Sequence, residues 1–201
     1  MFLNLLFENP LVFILVAAAL ILSLTFHEFA HAYVADHLGD PTARYLGRVT
    51  LNPIKHLDPI GTMLLLFVGF GWGRPVPFNP ANLNNPKRDA ALISFAGPGS
   101  NFLLAILFAI LYKFFGNVGI LGDFMYLATF YNLLLGLFNL FPFHPLDGFK
   151  VVYGLIPMNL AYQWLQMQSY GMYILIFMIF TGTTSTIMQP LVSFSLKILG
   201  F

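Results

Sequence analysis

The sequence predicts an all-α polytopic membrane protein, and three observations carry that prediction. Of 201 residues, 58% are hydrophobic and only 8% charged, where soluble chains carry about 25% charged residues. Mean hydropathy is +0.79. The 23 phenylalanines are spread along the whole length, which leaves no polar half and predicts one membrane-embedded domain over residues 1–201. About four transmembrane helices are expected, with re-entrant or interfacial segments and a short β-hairpin or edge strand after the first span.

The first span is expected over residues 11–26, behind Pro10, and it runs without a breaker into "HEFAHAYVADHLG" until Gly39 and Pro41 end it. The N-terminal "MFLNLLFENP" lacks a basic n-region, so this helix reads as a permanent span rather than a cleaved signal. "GRVTLNPI" suggests the short strand. "TMLLLFVGFGWG" is too short to cross and suggests a re-entrant or interfacial segment. A second span is expected over 90–115, interrupted at Gly97, Pro98 and Gly99, and a third over 124–141, stopped by Pro142 and Pro145. "PLDGFKVVYGLIP" suggests an interfacial helix, with a fourth span between 169 and 191. Arg44, Arg48, Lys55, Arg74, Lys87 and Arg88, six of the nine Lys and Arg, fall between spans one and two. The positive-inside rule makes that loop cytoplasmic and puts the "HEFAH" end of span one on the same side. Nothing in the basic residues is patterned for nucleic acid.

Zero cysteines exclude disulfides, thiolate ligands and a thiol nucleophile, so a metal site must draw on His, Asp or Glu. His27 and His31, four apart on one helix, share a face with Glu28 beside them. That is the pattern of two zinc ligands and a general base, and this composition produces it by chance in roughly one shuffled chain in a thousand. Ionisable groups in a span are functional candidates by default.

A catalytic zinc needs a third protein ligand. His37 stands ten residues after His27, but Val34 holds the place where a glycine would break the helix, so His37 faces elsewhere. No Glu follows Glu28. Asp36, Asp40, Asp58 and Asp89 have loop or helix-end explanations, and Asp123 reads as a cap on span three. Asp147, in "NLFPFHPLDG", follows a span that two prolines break at the level of the histidines. A buried carboxylate there costs several kcal/mol unless a cation offsets it. A transporter or channel could use the same cluster to pass metal or protons, although it gives no reason for Glu28 to sit between two ligands.

Three motifs in order, "HEFAH", "AGPGSN" and "NLFPFHPLDG", resemble the site-2 protease family of intramembrane zinc metalloproteases, and "GRVTLNPIKHLDPIGT" is similar to the segment that follows the first motif in bacterial members. The resemblance covers about residues 20–150. It implies peptide-bond hydrolysis in or near transmembrane segments of membrane proteins, in regulated intramembrane proteolysis or clearance of signal-peptide remnants, in a prokaryotic cell membrane. It implies one Zn2+ per chain, held by His27, His31 and Asp147, with Glu28 as base. Asn101 and Asn139 become pocket residues near the metal and candidates for stabilising the oxyanion. Val49, Thr50, Leu51 and Asn52 become the edge strand against which substrate unwinds. His144 stands where the family has proline. It has three readings: an extra ligand, a partner of Asp147 or a surface histidine. The compact chain leaves gating to the membrane part, to a regulatory membrane partner or to a second copy of itself.

Overall fold

Ten α-helices, and no strand among the described residues, make up the computed structural model, which describes residues 2–68 and 71–201. The short α1, Phe2–Glu8, leads into α2, Pro10–His37, where Pro10 occupies the first turn and the Asn9 side chain accepts from the Val12 N–H at 3.2 Å. Its 28 residues extend roughly 42 Å, more than a hydrocarbon core of ~30 Å. The single turn α3, Thr42–Tyr45, follows, then α4, Pro59–Val68. The other two long apolar helices are α5, Pro86–Phe115, and α6, Gly119–Asn139. Packing of α2, α5 and α6 on one another forms the centre of the molecule.

Several expectations hold in substance. The two ends of the segment expected to be re-entrant or interfacial lie together: Leu57 forms an isolated antiparallel bridge with Gly73, and Gly61 lies against Trp72. The part of that expectation at Gly69 and Phe70 lies outside the described residues. The helix expected in "PLDGFKVVYGLIP" is α7, Asp147–Leu155, at whose C-terminal end the carbonyls of Gly154 and Ile156 accept from Lys87 Nζ at 3.2 and 2.5 Å. It is followed by α8, Met158–Gln166, α9, Gln168–Phe180, and α10, Thr183–Leu199. The expected fourth span falls within this last pair, which is long and apolar enough to cross only if α9 and α10 are taken as one span, and which bends by 79° across a break at Gly182, where φ is 73° and a side chain would be strained.

Three expectations are corrected. Val49, Thr50, Leu51 and Asn52 form no edge strand. The Asn52 N–H donates to Thr50 Oγ1, Asn52 Oδ1 accepts from Ile54, and the Thr50 carbonyl accepts from His56 Nε2 at 2.7 Å. Local side-chain hydrogen bonds of this kind compete with a β-ladder and curl the segment into turns. Gly97-Pro98-Gly99 does not interrupt α5, which continues through Pro98. Membrane helices tolerate proline because neighbouring groups re-satisfy the backbone. Asp123 is not a cap, because α6 already starts at Gly119.

The remaining aspartates organise loops. Asp58 Oδ1 accepts from the Gly61 N–H at 2.8 Å, Asp89 Oδ2 from the Asn85 N–H at 2.9 Å, and Asp36 pairs with Arg44. Asp40 is fully buried and gathers the Thr42 N–H and hydroxyl, the Asn82 amide and the Asn79 N–H. It thereby ties the end of α2 to the loop before α5. Burial works to raise the Asp40 carboxyl, but the donors from Thr42, Asn82 and Asn79 outweigh it and hold it below the usual carboxylate range. A depressed folded-state pKa stabilises fully above the unfolded value near 4, and that contribution is lost as pH falls through the folded value. Asp40→Asn is therefore expected to lower stability by about 1.5–3 kcal/mol at neutral pH, with the gap to the unsubstituted protein closing below about pH 4 in thermal unfolding.

Candidate functional site

The C-terminal half of α2 carries the site, after a long apolar run that ends at Phe26. His27, Glu28 and His31 are all buried. Their geometry is fixed from α5. His27 Nδ1 lies 2.7 Å from Asn101 Oδ1, and His31 Nδ1 lies 2.6 Å from the Ile93 carbonyl. A carbonyl only accepts, so Nδ1 of His31 carries the proton. The Asn101 amide nitrogen donates to the Ser23 carbonyl at 3.0 Å and to Asn132 Oδ1 at 2.9 Å. Its oxygen must therefore face His27, whose Nδ1 is protonated as well. In the neutral rings both Nε2 atoms are left as lone pairs, 3.1 Å apart.

Asp147, the first residue of α7, completes the cluster. Its Oδ2 lies 3.1 Å from His27 Nε2 and 3.2 Å from His31 Nε2, and no donor satisfies it. Among the described residues these three form the one group whose ligand atoms lie within 4.8 Å of one another. Three lone pairs converging in a buried place repel one another unless a cation sits among them. Their separations approach the edge, roughly 3.3 Å, of a tetrahedron with ~2.0 Å bonds, and two imidazoles with a carboxylate suit zinc. The donor set fits the metal.

Gly97 explains how α5 comes so near. A Cβ there would lie 2.6 Å from His31 Cε1 and 2.7 Å from His27 Cε1. The "AGPGSN" motif thus supplies a flat helix face for the two rings and, one turn later, the Asn101 amide.

Glu28 faces a different neighbour. Its Oε2 has no hydrogen-bond partner and lies 3.9 Å from Arg48 Nη2. Arg48 is itself buried and donates to the carbonyls of Arg74, at 2.5 Å, and Pro75, at 3.2 Å. At Gly73 an added Cβ would be 3.3 Å from Glu28 Oε1. The segment at Gly73 therefore passes directly beside the carboxylate, and its Arg74 N–H pairs with the His56 carbonyl. Sequence reasoning counted Arg48 only as a topological charge. The available signal was an arginine inside a motif otherwise made of turn and apolar residues.

The other candidates separate. Asn101 is fully buried with both amide hydrogens engaged, so it holds His27 and has no free donor for an oxyanion. Asn139 ends α6 and turns its amide onto the Leu135 carbonyl at 3.0 Å. His144 sits edge-on to the Phe149 ring, with centroids 6.0 Å apart. His37 is exposed and bonds the Tyr33 carbonyl, turned away from the cluster.

Residues 15–123 match the family model described as Peptidase family M50. YwhC of Bacillus subtilis (strain 168) is 41% identical over 183 residues, 87% of this chain and 84% of that protein. Rip2 of Mycolicibacterium smegmatis is 33% identical over 152 residues, 69% of this chain and 56% of Rip2. MJ0392 of Methanocaldococcus jannaschii is 26% identical over 156 residues, 77% of this chain and 38% of that protein. The names of all three contain the words zinc metalloprotease. No solved structure matches the chain.

Gly97→Ala is expected to separate α5 from the two imidazoles and lower bound zinc well below one per chain, measured by elemental analysis of purified protein, with helical content retained by circular dichroism.

Proposed function

The chain belongs to peptidase family M50, the site-2 protease family, and from that premise we propose that His27, His31 and Asp147 are its zinc ligands and Glu28 its general base. The observation that carries this is the convergence of two imidazole lone pairs and one unpartnered carboxylate oxygen, with a second carboxylate one residue away on the same helix. Bound zinc supplies Lewis acidity, which polarises a carbonyl and makes water easy to deprotonate near neutral pH.

The protein's own groups do the rest. Glu28, adjacent to the ligands and free of hydrogen bonds at Oε2, accepts the proton from the attacking water and delivers it to the leaving amide nitrogen. Asn101 and the Ile93 carbonyl keep both Nε2 atoms unprotonated and aimed inward. Arg48 holds the 73–75 backbone against Glu28, so the base and an extended chain segment keep one spacing. Asn139, at the C-terminal end of α6, remains the candidate to contact the scissile carbonyl once its amide leaves Leu135.

The substrates this reading supports are transmembrane segments of membrane proteins, locally unwound. An unwound backbone needs partners in lipid, and the non-helical segment 71–78, which passes Glu28 at Gly73, is the candidate to supply them. The six basic residues between the first two spans support an active site toward the cytoplasm of a prokaryotic cell. Residues 1–201 act here as one catalytic unit, regulated by its own membrane part, by a membrane partner or by self-association. A conducting transporter has no observation in its favour.

Glu28→Gln is expected to retain zinc and lose about 10²–10⁴ in cleavage rate on a reconstituted transmembrane substrate. Unchanged cleavage would end the assignment of the base. A cysteine introduced at Asn84 is expected to react with a membrane-impermeant maleimide only after the cells are opened. Labelling of intact cells would reverse the orientation.

A further inference from the structure

Two of the proposed ligands ride on a 28-residue helix, but the third stands at the start of α7, which has only nine residues. A helix that short has little stability of its own, so its position is set by what it packs against. Its far end is fastened to α5 by Lys87. Its near end, where Asp147 stands, is fastened by the C-terminal helices. Phe149 is 3% exposed, and the Trp164 indole of α8 stacks on its ring at 5.3 Å and 21°. The same indole donates Nε1–H to the Phe149 carbonyl at 2.8 Å. On α9, Gly171 lies so close to the turn before Asp147 that an added Cβ would be 2.6 Å from the His144 nitrogen and 2.5 Å from its carbonyl oxygen. His144 in turn packs its ring edge on Phe149. One clamp therefore grips the turn on one side of Asp147 and the first helical turn on the other.

We propose that α8 and α9, which lie beyond the segment matched by the family model, are part of the metal centre, with Trp164 and Gly171 as positioning residues that hold Asp147 against His27 and His31. The inference rests on the proposed ligand assignment. Metal sites tolerate displacements of only about 0.2 Å in ligand distance, and loss of groups that orient ligands typically weakens binding ten- to a hundredfold. Releasing the clamp lets the N-terminal turn of α7 shift, while His27 and His31 stay fixed by α5.

The test is zinc affinity of the full chain in detergent, measured by competition with a chelator of known affinity, alongside unfolding temperature of the metal-free protein. Trp164→Ala and Gly171→Val are expected to bind zinc about ten- to a hundredfold more weakly, measured well below the metal-free unfolding temperature of each variant, which the lost packing and the added side chain also lower. Should either fail to fold, Trp164→Phe keeps the ring and removes only the donor, with an expected loss of several-fold. The chain has two tryptophans, so in a Trp72→Phe background zinc titration is expected to shift Trp164 emission, and Asp147→Asn to abolish the shift. Wild-type affinity in Trp164→Ala, with Asp147→Ala weakened, overturns the clamp. Undiminished affinity in both overturns the ligand assignment beneath it.

Discussion

Two imidazole nitrogens and a carboxylate oxygen, all acceptors, are pressed to within about 3.2 Å of one another inside apolar protein. Without a cation that arrangement is repulsive, and the surrounding structure is what enforces it. The proton on each Nδ1 is consumed by an acceptor on α5, and the rotation of the Asn101 amide is dictated by Ser23 and Asn132. The small face at Gly97 admits both rings. Each of these contacts lies between long helices packed along their length, so the centre is rigid where a site on loops would adjust. Much of the polarity buried in the three central helices belongs to this one network.

Glu28 is arranged on the opposite logic. Among the described residues it has no hydrogen bond to pin it, and the arginine 3.9 Å away is occupied with two backbone carbonyls. A carboxylate that must gain and give up a proton benefits from such looseness, since a strong donor would have to be broken in every cycle. The segment beside it approaches the carboxylate at Gly73, where no side chain intervenes.

The chemistry was legible in the sequence because it is local or rare. His27, Glu28 and His31 lie within five residues, and the prolines around Asp147 announce that a span ends at their level. The three long helices were legible from hydropathy alone. What the sequence hid depends on which polar group a neighbour satisfies. "GRVTLNPI" has strand propensity, yet Thr50 and Asn52 spend their side chains on nearby backbone. Gly97-Pro98-Gly99 reads as a break, but its glycine serves close packing inside a continuous helix. Asn101 could have been an oxyanion donor until its amide hydrogens were accounted for. Asp123 looked like a cap because hydropathy places the start of the apolar run later than the helix itself begins.

The short helix α4 also bears on the lipid around the molecule. The ten residues of α4 reach only ~15 Å, about half the hydrocarbon depth, and α1 beside it is shorter still. Hydrophobic mismatch on that flank favours a thinner acyl layer, at a cost of fractions of a kcal/mol per ångström. A thinned flank shortens the distance that water must travel to Glu28. It also fits poorly around a full-length span, which would have to tilt to lie there.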